Sequence, residues 1–345
     1  MNRIFPRLLG AAVVVTIVAC SDSTTRTTEP VVLQPLASRY PELNDNGHIM
    51  KLKNEGKKDA EDAQEEAKND AKVRGNTQGT GIYYHGGPVL QTGTNVVAIY
   101  WSPTTIYTNG PTPGSVGSGS QDHSLVGYFL SNLGGSSYFN INSTYTDGSG
   151  NPIANVVNYN GFWANNTNAP TGTTKISDTQ MIAMLQSGFD NGALTYDAST
   201  IYAIFTSGKV NLGGGFGSSY CAYHSYATVT IGTVSRTILY AAMPYDQAYP
   251  GICTEGTAAP NGDAGADSEV NTLAHEVEES TTDPLLNAWY DRRGYENADK
   301  CAWTWGTTYT TSSGGVANIK IGSKDFLVQR NWLNVGSGGC AKAYP

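Results

Sequence analysis

Val96-Val97-Ala98-Ile99-Tyr100-Trp101, with Pro103 just beyond, decides how this chain folds. The run is continuously apolar, partly β-branched and too short for a helix, so it predicts a strand buried on both faces at the centre of a sheet. Ser199 to Ser207, containing Ile201-Tyr202-Ala203-Ile204-Phe205, repeats that pattern and predicts a second buried strand. Thr228 to Ile231 and Thr237 to Met243 flank Gly232 as a hairpin pair. Between the strands lie helical patterns. Ser124 to Leu133 brings Leu125, Tyr128, Phe129 and Leu133 to one side, and a second helix runs from a cap at Ser177 or Asp178 through Met181, Met184 and Leu185 to Gly188. Strands and helices mixed in this order predict an α+β domain, a mixed sheet with packed helices.

Composition bounds where such a domain works. Of 345 residues, 40 are Gly and 21 are Tyr, and only 14% are charged, against a globular average of about 25%. That profile belongs to exported, turn-rich proteins. A net charge of −8, with no Lys/Arg stripe, excludes nucleic acid as a partner. The glycines follow no three-residue period, which excludes a collagen-like chain. At the amino end, Arg3 and Arg7 precede an apolar run from Leu8 to Val18 that is too short to span a membrane comfortably and ends in Ile17-Val18-Ala19-Cys20. The pattern resembles a bacterial lipoprotein signal: cleavage before Cys20, acylation of its thiol, and a mature chain tethered outside the cytoplasm, its membrane contact limited to the lipid. Ser21 after the cysteine points to the outer membrane if the cell is Gram-negative.

Residues 21 to 48 are poor in large apolar groups and read as a tether. From Met50 to Arg74 charges crowd the chain, and Ala60, Ala63, Ala67 and Ala71 give no apolar stripe wide enough for a core, which predicts a solvated helical spacer. The expected organisation is therefore a signal peptide over 1–19, tether and charged spacer over 20–80, and one domain over 81–345. Cys221, Cys253, Cys301 and Cys340 remain, an even number in an oxidising compartment. Three pairings are possible, and sequence neighbours favour Cys221 with Cys253 and Cys301 with Cys340. No CxxC spacing supports a four-thiolate zinc site.

The chemistry concentrates in Asn271-Thr-Leu-Ala-His275-Glu276-Val-Glu278-Glu279-Ser-Thr-Thr-Asp283-Pro284. Asp267 or Ser268 is the expected cap and Pro284 ends the helix near Thr282. His275 and Glu279, four apart, share one helical face and can chelate one ion. Glu276 stands where the general-base glutamate stands in H-E-x-x-H zinc hydrolases, a carboxylate here replacing the second imidazole. Downstream, Glu296 is expected as third ligand and Asp299 as the acid orienting His275, with the two roles open to exchange. One His with two carboxylates is a hard donor set, so Zn2+ leads while Mn2+ and Ca2+ compete. A metal so held polarises a scissile carbonyl, Glu276 takes the proton of the attacking water, and His224 or Tyr223 supports the oxyanion. His85 reads as a turn residue. Trp289-Tyr290 and Trp303-Thr-Trp305 can stack on sugar rings, although core packing explains most aromatics.

Tyr84-His85-Gly86-Gly87-Pro88-Val89-Leu90, Cys221-Ala-Tyr-His224, Pro250-Gly251-Ile-Cys253, Asn261-Gly-Asp-Ala-Gly265-Ala-Asp267, Ala274-His275-Glu276 with Glu279, Thr282-Asp283-Pro284-Leu285, Glu296-Asn-Ala-Asp299-Lys-Cys301 and Phe326-Leu-Val-Gln329 stand in an order that resembles the EXORDIUM, or phosphate-induced, family of secreted proteins. The resemblance covers 81–345. It implies an extracellular or wall-associated protein and no settled activity. The residues themselves predict a tethered, peptidase-like metallohydrolase with a zincin-like active-site helix, acting on an extracellular peptide or wall polymer. The alternative is a non-catalytic envelope or polysaccharide-binding protein in which the same cluster holds a structural metal.

Overall fold

Side-chain alternation along the strands builds two cores, one on each face of a central sheet. The computed structural model describes residues 49–73, 80–212, 216–217 and 219–345. The leader, Cys20 and the tether to residue 48 lie outside the described residues. In chain order the elements are β1 (Ile49–Lys51), α1 (Lys53–Val73), β2 (Tyr83–Tyr84), β3 (Thr94–Trp101), β4 (Val116–Ser118), α2 (Leu125–Leu133), β5 (Val157–Trp163), α3 (Asp178–Asp190), β6 (Thr200–Thr206), β7 (Tyr220–Ile231), β8 (Val234–Met243), α4 (Ala264–Thr282) and β9 (Trp289–Tyr290). Short hairpins made by β10 (Tyr309–Thr310) to β15 (Gly339–Ala341) complete the carboxyl end. Among the described residues no helix is long and apolar enough to cross a membrane.

The sheet has seven strands in the order β1-β7-β8-β6-β3-β5-β4. Its middle is parallel, β3 pairing with β5 and β6, and β6 with β8. Its margins are antiparallel, with β4 on β5, β7 on β8 and β1 on β7. Val96-Val97-Ala98-Ile99-Tyr100-Trp101 is the middle of this sheet, as its continuous apolar character requires. On β6, Ile201, Ala203 and Phe205 enter the core beneath α2 and α4, while Tyr202 and Ile204 enter the opposite core beneath α3. The fold is α+β with a mixed sheet, and both disulfides, Cys221–Cys253 and Cys301–Cys340, are formed.

Helix starts follow capping chemistry. Ser124 Oγ accepts the Gly127 N–H at the start of α2, and Ser177 with Gln180 forms a capping box at the start of α3. The start of α4 differs from the expectation. Asp263, not Asp267 or Ser268, is its cap, accepting the Ala266 N–H at 3.1 Å, while Asp267 holds the preceding loop by accepting from Asn261. The helix ends at Thr282, ahead of Pro284 as the sequence requires.

The segment read as a solvated spacer departs most from expectation. β1 is an edge strand of the sheet, Met50 is wholly buried, and the first half of α1 lies on the 3-10 turn Asp299–Cys301. Its contact residues are small. Gly56 meets Trp303, and Ala60 and Ala63 are buried while their neighbours face solvent. Described residues that pack with the domain therefore reach back past 81 to 49, and three residues of strand with a narrow alanine stripe are too little apolar signal to read as core.

Candidate metal centre

α4 crosses the β7 side of the sheet with all its residues from Gly265 to Thr282 buried. A helix so enclosed normally carries apolar groups all round, yet this one carries His275, Glu276, Glu278 and Glu279 at zero exposure. Helical spacing sets His275 Nε2 3.0 Å from Glu279 Oε1. The segment following β9 returns over the same face and brings Asp299 Oδ1 to 3.5 Å from His275 Nε2. His275 Nδ1 lies 3.2 Å from Gln329 Oε1, and the Gln329 amide donates in turn to the Ala298 carbonyl at 2.9 Å. That bond fixes the Nδ1–H tautomer and turns the Nε2 lone pair toward the carboxylates.

Beside this triad lies a second. His224 projects from β7 onto the α4 face, with Nε2 3.0 Å from Glu296 Oε2 and 3.6 Å from Glu279 Oε2. His224, Glu279 and Glu296 converge within 4.8 Å, as do His275, Glu279 and Asp299, and Glu279 belongs to both sets. Sequence order paired these residues differently. Asp299, not Glu296, is the acid beside His275; Gln329, not an acid, orients the ring; and His224 is a member of the acid cluster rather than a separate oxyanion donor. Tyr223 is excluded from that role because neighbouring strand residues face opposite ways: its hydroxyl donates to Asp178 at 3.0 Å on the other side of the sheet. Gln329 lies 54 residues from His275 and no periodicity links them.

The electrostatics are those of a cavity for a cation. Burial, then the charge of Asp299, pushes Glu279 up to about 7 against the pull of His275. Burial and the neighbouring acids raise Glu296 well above the carboxylate range, and burial raises Asp299 against the opposing His275. For His275 burial alone lowers the pKa, but Glu279 and Asp299 overcome it and hold the ring well above its usual value. Glu279 Oε1 accepts the Asp299 N–H at 2.9 Å, but other polar atoms of the cluster are unsatisfied. His275 Nε2, Glu279 Oε2 and Glu296 Oε1 are buried without a partner of good geometry, a costly arrangement unless a cation satisfies them. Separations of 3.0–3.6 Å between ligand atoms suit two donors at about 2.0–2.2 Å from one ion. The residues present therefore fit a divalent metal. Glu276 is buried on the side of β1: burial raises its pKa well above the usual range, opposed by His275 and by the Met50 backbone N–H that it faces.

The centre is closed. His224, His275, Glu276 and Glu279 have zero exposure, and Glu296 and Asp299 have 1% and 5%. None of these six is among the walls of the cavities beside Asp122, Leu285, Trp101 or Glu255, seen among the described residues. Glu278 points elsewhere, accepting from Asn142 and, at 2.6 Å, from Asn331. Trp289 and Trp303 are buried, which removes them as sugar platforms. His85 is a loop residue stacked on Tyr290 at 3.6 Å between ring centres.

Residues 82–325 match the family described as Phosphate-induced protein 1 conserved region. The chain belongs to that family. The match contains every residue of the centre except Gln329 and leaves out β1 and α1. Two relatives from Arabidopsis thaliana are similar in sequence: Protein EXORDIUM-like 3, 30% identical over 165 residues, and Protein EXORDIUM-like 5, 24% identical over 245 residues. These alignments cover 40% and 64% of this chain, which spans about half of the first relative (48%) and 62% of the second. No solved structure matches.

Proposed function

We propose that this member of the phosphate-induced protein 1 family is an extracytoplasmic metalloprotein whose buried centre holds a divalent ion through His275, Glu279 and Asp299, with zinc the first candidate and Mn2+ or Ca2+ the competitors. The observation that carries the reading is the convergence of two imidazoles and three carboxylates, sharing Glu279, in a wholly buried space. Two disulfides support an oxidising compartment, and the lipoprotein-like leader, with Cys20 as the acylated residue, supports attachment to the cell envelope. Closure favours a stabilising centre in this form, because a catalytic metal needs an open coordination position. The bound ion would tie α4 to the Asp299 turn.

A hydrolytic role is the second reading, favoured by one feature: Glu276 adjoins His275 and faces the β1 backbone, a segment outside the family match. A zinc ion in such a site supplies carbonyl polarisation and an acidified water; Glu276 would accept the proton, on an extracellular peptide or wall polymer. Metal analysis of the purified chain tests the proposal. About one or two equivalents of metal are expected in wild type and a loss in Glu279→Gln; metal-free wild type, or undiminished metal in the variant, overturns it.

A further inference from the structure

The outer edge of β7 is covered by the chain's own amino-terminal segment, and the way it is covered carries information. β1 pairs antiparallel with β7, Ile49 opposite Tyr223 and Met50 opposite Ala222, with an irregularity before Lys51 opposite Tyr220. Ile49 enters the core beneath α3, whereas Met50 enters the α4 core and presents its backbone amide toward Glu276. The Lys51 ammonium lies 2.8 Å from the Tyr295 hydroxyl, next in sequence to Glu296. The Trp303 indole donates to the Lys51 carbonyl at 2.7 Å. The strand thus runs across the centre, touching in turn the edge beside His224, the general-base candidate and the Asp299 turn.

Its apolar contact is narrow. Beyond Ile49, Met50 and Leu52, α1 rests on Gly56, Ala60 and Ala63, small residues that bury little area, and the rest of the hold is polar: the half-buried pair Lys51–Asp59 at 2.6 Å, the Lys53 N–H donating to the Ile252 carbonyl at 3.1 Å and the Lys53 ammonium donating to the Glu255 carbonyl at 2.6 Å. The segment also lies outside residues 82–325, the part shared with the family. A sheet edge with a buried apolar pocket followed by a position where the Tyr295 hydroxyl and ring receive a cation is the physical description of a β-augmentation groove, where backbone bonds give affinity and alternate side chains give specificity.

We propose that β7, α4 and the Asp299–Cys301 turn form a groove for an extended polypeptide carrying an apolar residue followed by a basic one, and that Ile49–Ala63 is an intramolecular strap filling it and closing the metal centre. The part concerning metal access rests on the metal reading; the groove does not. Opening exposes Glu276 on the side where the peptide backbone passes.

The test uses the full chain and a fluorescein-labelled synthetic peptide copying residues 47–54. Gly56→Phe loosens the strap, because even a Cβ at this position sits 2.9 Å from the Trp303 ring; Lys51→Glu serves if that variant misfolds, judged by circular dichroism and intact disulfides. The loosened chain, with or without zinc, is expected to bind the peptide at least tenfold more tightly than wild type, and a probe with Asp in place of the Met50 equivalent is expected to lose that binding. In zinc-loaded protein, metal extraction by a chelator is expected to accelerate at least tenfold. A folded, loosened chain that binds no probe, or binds the Asp probe equally, overturns the groove. Probe binding with unchanged extraction overturns the strap as the seal of the centre. Metal-free wild type removes the metal reading while the binding comparison still decides the groove.

Discussion

Two buried acidic sites lie back to back across one strand. On the α3 side, Asp178 receives hydroxyl hydrogen bonds from Tyr223 and Tyr240; on the α4 side, next to Tyr223 in sequence, His224 enters a cluster of acids in which Glu279 Oε1 accepts the Asp299 N–H at 2.9 Å while Glu279 Oε2 and Glu296 Oε1 have no donor of good geometry. The same strand thus satisfies one carboxylate with hydroxyl protons and gathers several others that are only partly supplied. Donor supply is what would separate a structural acid from one that holds the proposed cation. Neither charge nor burial distinguishes them, since both sites are acidic and enclosed.

The comparison breaks most sharply at Glu279. Glu279→Gln is expected to abolish metal retention and, in protein purified with its metal, to lower stability by about 3–5 kcal/mol, read as a loss of urea midpoint. A chelator should reproduce that loss in wild type and add little in the variant. Replacing Cys301 and Cys340 together by Ser is expected to cost about 2–5 kcal/mol. Because Cys301 ends the turn carrying Asp299, it should also weaken zinc retention, measured by competition with a chromophoric chelator; unchanged retention would separate the disulfide from the centre.

Glu255, an acid on the α4 side outside the cluster, gives an independent check. Glu255 accepts from Ser268 at 2.7 Å, and burial pushes it up to about 8 from 4.5. With the folded pKa above the unfolded one, the native state binds the extra proton, so this group removes stability as pH rises from about 5 toward 8. The loss amounts to about 2–3 kcal/mol between pH 5 and 7. Glu255→Gln should flatten that part of the stability–pH curve; an unchanged slope refutes the assignment. The smallest effect belongs to the α3 side. Asp178→Asn is expected to cost about 1–2 kcal/mol by disturbing the tyrosine bonds, with metal content untouched. Loss of metal there would dissolve the distinction between the two sites.

What was legible in the sequence follows from where the signal is local. Val96–Trp101 and Ile201–Phe205 announce themselves because strands buried on both faces have no polar alternation to obscure them. β5 carries no such signal, since Asn158 and Asn160 interrupt its apolar pattern on the half-exposed part of the strand and Gly161 interrupts it in the buried part. His275 and Glu279 meet by helical spacing alone, and nearness along the chain nominated Glu296 and Asp299. Which acid meets which histidine is set by the fold of the 291–304 segment, and the pairing of His224 with Glu296 spans 72 residues. Gly56, Ala60 and Ala63 carried too little hydrophobicity to reveal that a charged helix had a seat on the domain.

The Cys301–Cys340 bridge has a consequence in time. His224, His275, Glu279, Glu296 and Asp299 all precede Cys340, so a chain crossing a membrane amino end first delivers its whole ligand set to the far side before the cross-link beside Asp299 can close. Assembly therefore has a latch that falls after these residues have arrived, and an ion held by the proposed centre before then would be clamped by the oxidation that follows.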